Sequence, residues 1–149
     1  MTIRRVEPAL ARRQADWIVA MEPWLSMGFR AVPLGRWLSR RARAGCVLAA
    51  VHKRAILGIV VFQPDVLLGT FIALLAVRPQ AAGQGVGRAL VSRVERDSFV
   101  HRRWLYVSSD SNNLAAARFY RKLGFERVAR LPGLVCDDRI EVLWRKRRP

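Results

Sequence analysis

The sequence predicts an α/β (α+β) fold: a mixed central sheet of about six or seven strands with helices on both faces, in one domain. Three observations carry this. Strand-like and helix-like patterns alternate along the chain, as they do where helices are layered on a sheet. The apolar run from Thr70 to Val77 is nearly continuous, which marks a central strand covered on both faces. That run passes through a loop holding Gly83, Gly85 and Gly87 into a helical pattern, with Val86, Ala89, Leu90 and Val94 on one face. A chain of 149 residues fits one domain. Its 52% hydrophobic content argues against global disorder.

In chain order, Thr2 to Val6 is a short strand candidate. Glu7-Pro8 opens a helix, because proline suits the first helical position. Leu10, Ala11, Trp17, Ile18 and Met21 form its apolar stripe, and Pro23 ends it. A second helix fits Leu34 to Ala44 and stops at Gly45. Cys46 to Val51 and Ala55 to Phe62 read as a hairpin turning at His52-Lys53-Arg54, with Gly58 as a bulge candidate. Pro64-Asp65 reads as a turn, followed by the central strand to Val77. A helix runs from about Gly85 to Ser98, then a strand from Trp104 to Ser108. The next helix, about Asn113 to Leu123, has an Asn cap and ends at Gly124. Phe125 to Arg130 and Arg139 to Trp144 close the sheet as antiparallel strands separated by Pro132-Gly133, leaving RKRRP as a solvated tail.

Two stretches carry chemistry. The first is Leu74 to Leu90, LLAVRPQAAGQGVGRAL. Glycines at the mouth of a helix let a ligand approach the backbone closely. The free N–H groups of the first turn, at the positive end of the helix dipole, suit a phosphate or pyrophosphate. A mobile turn before an ordinary surface helix is the plainer reading of the same residues. The second stretch is Asn112 to Phe125, NNLAAARFYRKLGF. Together the two resemble the GCN5-related N-acetyltransferase (GNAT) family. Val77, Arg78 and Pro79 match the family's strand end, and Gly85-Val86-Gly87 match its acetyl-CoA loop, Gln/Arg-x-x-Gly-x-Gly/Ala. The first loop position departs from the pattern. It falls on Ala82, and Gln80 fits only in a frame shifted by two residues, with Gly83 and Gly85. Asn113, Ala116, Tyr120, Gly124 and Phe125 stand at the spacing of the family's Asn-x-x-Ala-x-x-x-Tyr-x-x-x-Gly-Phe signature.

The resemblance implies a single N-acetyltransferase domain over residues 1–149, with two helices after the first strand on the acceptor side. It also implies acetyl-CoA as cosubstrate, no metal, and transfer of the acetyl group to a primary amine by direct attack on the thioester. The amine would belong to a small molecule, a peptide N-terminus or a lysine. Leu75, Ala76 and Val77 then pair with the pantetheine arm, and a main-chain N–H polarises the thioester carbonyl. Gly83 belongs to the cofactor loop, the amides of Gln84, Gly85, Val86, Gly87 and Arg88 take the pyrophosphate, and the Arg88 side chain adds a charge-assisted contact. Asn113 bonds the CoA arm or caps its helix, a task for which Asn112 competes. The motif makes Tyr120 the catalytic acid that protonates the CoA sulfur; spacing alone favours an aromatic core residue beside Phe119. No general base is evident. Many relatives carry a Glu on the central strand, where Phe71, Ala73 and Leu75 stand at alternate positions here. Water, Glu22 and Asp110 stay open as routes for the amine proton. His52 and His101 read as solvated, and Trp17, Trp24 and Trp37 as core.

Charge is the unusual quantity. There are 27 Lys+Arg against 11 Asp+Glu, a formal +16, with Arg spread over the whole chain. Such a field favours anionic ligands and surfaces: acetyl-CoA, an acidic protein, RNA or the ribosome. The arginines lack interleaved stacking aromatics, and no helix-turn-helix or zinc motif appears. Two alternatives remain: a non-catalytic CoA-binding or regulatory module, favoured by the missing strand carboxylate and Ala82, and an acetyltransferase associated with RNA or ribosome, favoured by the charge. Cys46 and Cys136 are far apart and read as reduced thiols. No apolar run reaches the ~20 residues of a membrane span, and no signal-peptide core follows the N-terminus. A cytoplasmic location is the resulting expectation. The acceptor amine stays unnamed, and the oligomeric state stays open between monomer and homodimer.

Overall fold

The computed structural model describes residues 1–149. In chain order the elements are β1 (Thr2–Arg5), α1 (Pro8–Arg13), α2 (Ala15–Val19), α3 (Ala31–Arg43), β2 (Val47–His52), β3 (Ala55–Val66), β4 (Gly69–Val77), α4 (Val86–Ser98), β5 (Trp104–Asp110), α5 (Leu114–Lys122), β6 (Glu126–Pro132) and β7 (Ile140–Arg147). A short 3-10 turn, Pro79–Ala81, follows β4. The sheet is mixed and seven-stranded, in the order β1-β2-β3-β4-β5-β7-β6. The chain divides into two compact units, each discontinuous in sequence: Met1–Phe62 with Leu74–Val94, and Gln63–Ala73 with Glu95–Pro149.

In the first unit β1, β2 and the start of β3 form an antiparallel ladder. Val47, Ala49, Ile59 and Val61 project from one face into a cluster with Ala11, Ile18, Leu34, Leu38 and Ala42 of the three helices. Burying each of the larger side chains stabilises the unit by roughly 1.5–3 kcal/mol. The sequence reading differs from the structure in three places here. The helix expected from Pro8 to Pro23 is two short helices. The Gln14 N–H turns back to Ala11 at 3.0 Å, tightening the chain at the junction, and the Gln14 side-chain amide donates to the Leu10 carbonyl at 2.8 Å. The helix expected from Leu34 begins at Ala31, because Pro33 falls in the first turn, where no N–H is needed. The bulge lies beside Gly58 rather than at it: Ala50 pairs with Gly58 and Val51 with Ile56, leaving Leu57 unpaired on β3.

In the second unit β4 starts parallel to β5, and β5, β7 and β6 are antiparallel neighbours. The turn expected at Pro64-Asp65 is displaced. β3 runs on to Val66, and Leu67 and Leu68 make the turn at φ 48° and 62°. Leucine is disfavoured at such angles. Here the turn is tied down, since Tyr106 Oη donates to the Leu67 carbonyl at 3.1 Å and the Arg103 N–H to the Leu68 carbonyl at 3.3 Å. The expected solvated tail is also partly a strand. Arg145 and Arg147 pair with Tyr106 and Trp104, and the Arg145 guanidinium lies 3.9 Å from the Trp104 ring centre.

Candidate active site

In the first unit the last residues of β4 lead into the glycine loop. Leu75 and Val77 are half-buried and Ala76 is buried. The β3 bulge turns two carbonyls toward the end of this strand. The Arg78 N–H donates to Leu57 O at 2.8 Å and Arg78 Nε to Ile56 O at 2.8 Å. The Arg78 guanidinium also stacks 4.8 Å from the Trp17 ring. A bulge thus fixes where β4 stops. Gly83 and Gly85 take φ of 75° and 80°, a left-handed backbone, with open space where a side chain would begin. The first i to i−4 bond of α4 runs from Ala89 N–H to Gly85 O at 3.0 Å. The N–H groups of Val86, Gly87 and Arg88 therefore have no intrahelical acceptor. Gln84 and Arg88 are exposed, and Gln84 Nε2 donates to the Gln80 carbonyl at 3.1 Å. Such a cradle fits a diphosphate, and Gly87 leaves its rim without a side chain.

In the second unit Asn113 Oδ1 accepts from the Ala116 N–H at 3.0 Å, so Asn113 caps α5 and Asn112 does not. Tyr120 is 6% exposed. Its ring packs edge-on to Phe119 at 5.1 Å and Phe125 at 5.6 Å, and lies 6.4 Å from Trp144. Burial raises the phenol pKa well above its ordinary value, and the charge of Glu141 adds to the rise. Tyr120 is thus an aromatic core residue whose phenol stays protonated.

Glu141 was not anticipated. It is 4% exposed and lies opposite Asp110, itself 6% exposed, in the β5–β7 register. Burial raises the Glu141 pKa, a hydrogen bond from Ser108 opposes the rise, and Asp110 adds to it. The signal was a lone carboxylate inside the apolar run Ile140-Glu141-Val142-Leu143-Trp144.

The two carboxylates left open as routes for the amine proton are both hydrogen-bonded in the structure. Glu22 is tied to its own turn, accepting from the N–H and hydroxyl of Ser26. Asp110 Oδ1 accepts from the Asn112 N–H at 2.8 Å, and Oδ2 pairs with Arg139 at 3.1 Å. His52 and His101 are exposed. Trp17, Trp24 and Trp37 are partly buried against the first unit's core. No three His, Cys, Asp or Glu side chains are grouped to hold a metal.

A sequence profile of the acetyltransferase (GNAT) domain matches residues 43–127, more than half of the chain. Solved structures share the fold at low identity. A ribosomal-protein-alanine N-acetyltransferase from Brucella melitensis superposes with a TM-score of 0.78 at 18% identity, covering 99% of both chains. An aminoglycoside 6'-N-acetyltransferase complexed with coenzyme A gives 0.80 at 16%, covering 100% of this chain and 98% of the other. Arabidopsis thaliana NAA60 in complex with a bisubstrate analogue gives 0.78 at 19%, covering 98% and 97%.

Proposed function

We propose that this chain, which belongs to the GNAT acetyltransferase family, moves an acetyl group from acetyl-CoA to a primary amine by direct attack on the thioester. The observation that carries the reading is the opening of α4, where two left-handed glycines precede N–H groups with no intrahelical acceptor. These residues fit a pyrophosphate. Gly83, Gln84, Gly85, Val86, Gly87 and Arg88 would hold it, Arg88 adding a charged contact. Leu75, Ala76 and Val77 would pair with the pantetheine arm, and Asn113 would add a contact beyond its cap. Acetyl-CoA supplies an acyl carbon activated by its thiol leaving group. Tyr120 holds its proton at neutral pH because burial and a neighbouring carboxylate disfavour the phenolate. It is therefore fitted to donate to the leaving sulfur as a general acid.

An amine acceptor is supported by the named substrates of the structural relatives, a ribosomal-protein alanine and an aminoglycoside. The formal charge of +16 favours an acceptor carried on something acidic, such as an acidic peptide, a ribosomal particle or RNA. Two measurements test the function. Acetyl-CoA is titrated into the protein by calorimetry, and thiol release is followed with a panel of amines that includes an alanyl peptide and kanamycin. Binding together with amine-dependent thiol release is the expected result. Binding with no release for any amine would favour the non-catalytic module.

A further inference from the structure

The register of β5 and β7 sorts the buried groups near Tyr120 onto two faces. Residues directly opposite in an antiparallel pair project to the same face, and the face alternates along each strand. Val107, Ser109, Val142 and Trp144 share one face, confirmed by the 2.9 Å bond from Trp144 Nε1 to Ser109 Oγ. Tyr120 packs against Trp144 and so approaches from that side. Asp110 and Glu141 are paired on the other face, with Ser108 two residues along from Asp110. Direct transfer needs its base and its acid at different places about the acyl carbon, and two faces of one strand offer two such places. The amine must lose a proton on the side from which it attacks, and the sulfur must gain one on the side toward which it leaves.

We propose that Glu141 is the general base of the transfer, taking the amine proton on the face of β5 opposite the one that carries Tyr120. This rests on the acetyltransferase reading above. The ammonium gives one proton to the Glu141 carboxylate. The freed lone pair forms the N–C bond to the acetyl carbon as the C–S bond breaks. The sulfur takes the Tyr120 proton, the N-protonated amide gives its second N–H proton to water, and the phenol regains one from water. Glu141 then releases its proton to water, so one amide, one thiol and one proton leave. Asp110 is the weaker choice, because each of its oxygens already holds a structural partner, the Asn112 N–H and Arg139. Glu141 has Ser108 as its hydrogen-bond donor, and Ser108 is only half-buried.

The charged and titratable groups acting on Glu141 are few. Asp110 lies opposite it on β5, and Arg139 acts from the segment before β7; Tyr120, on the other face, is near enough for the Glu141 charge to act on its phenol. β6 places the uncharged Leu131 opposite. Burial, and after it Asp110, push the Glu141 pKa up, while Ser108 and, less, Arg139 pull it down. The base is active when ionised, so kcat/KM should rise with pH through that raised value. Removing the Ser108 hydroxyl removes a donor to the carboxylate and should move the limb to higher pH.

The test follows one group by two independent readouts. Carbon-13 NMR of the side-chain carboxyls, in protein without substrates, identifies Glu141 as the resonance lost in Glu141→Gln. Its midpoint should lie above that of an ordinary glutamate and rise further in Ser108→Ala. The acid limb of kcat/KM, with an alanyl peptide or kanamycin as acceptor, should move with it. Glu141→Gln should lower kcat roughly 100-fold or more, the lower end of what a general base supplies, with acetyl-CoA affinity kept. An acid limb that ignores the NMR midpoint, or wild-type turnover in Glu141→Gln, would overturn the inference and leave the acetyltransferase intact. No thiol release by the wild-type protein with either acceptor would overturn both.

Discussion

At the scale of single residues, the burial of Tyr120 has two consequences, one for packing and one for protonation, from the same physical cause. Its burial among Phe119, Phe125 and Trp144 stabilises α5 against the sheet and also keeps the phenol protonated. Tyr120→Phe keeps the ring and removes only the hydroxyl. We expect kcat to fall roughly 10- to 100-fold with little change in acetyl-CoA affinity, since a proton given to the leaving sulfur belongs to the transition state. Because the phenol pKa is raised, the loss should be uniform across neutral pH, and no alkaline limb there should disappear with the hydroxyl. Steady-state rates at several pH values, with calorimetry on the same variant, check it. Turnover at the wild-type rate would make Tyr120 a packing residue alone.

At the scale of elements, the start of α4 depends on the strand before it and on the bulge behind that strand. A Cβ at Gly58 would lie 2.8 Å from the Ala76 carbonyl oxygen, 3.0 Å from Val86 and 3.3 Å from Leu90. Backbone cannot give way there as a flexible side chain would. Gly58→Ala should therefore destabilise the protein by about 1–3 kcal/mol, the usual range for overpacking. It should also weaken acetyl-CoA binding, because β4 and α4 must separate to make room. Urea unfolding and calorimetry read the two effects, and no change in either would mean that this approach positions nothing. Gly85 poses the opposite case. Space around it is open, but its φ is left-handed. Gly85→Glu should abolish acetyl-CoA binding by bringing a carboxylate to the phosphate cradle. Gly85→Asn, which tolerates that backbone better, separates the charge effect from strain. Unchanged affinity in the folded Glu variant would remove the loop from the site.

At the scale of the whole molecule, the excess of Arg over acidic residues exceeds what one CoA requires. A formal +16 repels a free amine at long range and attracts a polyanion. If the acceptor is carried on an acidic partner, kcat/KM for that acceptor should fall roughly tenfold or more between about 0.1 M and 1 M salt. That lies within what electrostatic steering adds, and screening shortens from about 10 Å to about 3 Å over the same range. Acetyl-CoA affinity should fall less. RNA or ribosomes should be retained at low salt with a steep log–log slope. A flat salt profile with no polyanion retention would leave the charge as composition.

The sequence by itself determined the order of the elements, the glycine loop and the Asn113–Phe125 signature, because each is written in local periodicity, capping and turn chemistry. The family profile matches residues 43–127, which hold both motifs. Asn113 caps α5, and Gly124 follows it at φ 89°, as local rules demand. What tertiary structure alone decided is non-local. Leu67-Leu68 makes a turn that its residue types oppose, because Tyr106 and Arg103 hold its carbonyls. Arg145 and Arg147 join β7 because Tyr106 and Trp104 offer them a partner strand. The bulge lies at Leu57 because the end of β4 needs the carbonyls of Ile56 and Leu57 for Arg78. Glu141 gained its place the same way. A carboxylate in an apolar strand has no chemistry of its own, and only the register of β7 on β5 brings it to Ser108 and Asp110 on the face opposite Tyr120. The alternation along β7 limits which residues share a face, but which β5 residue stands opposite Glu141 is decided by pairing about thirty positions apart.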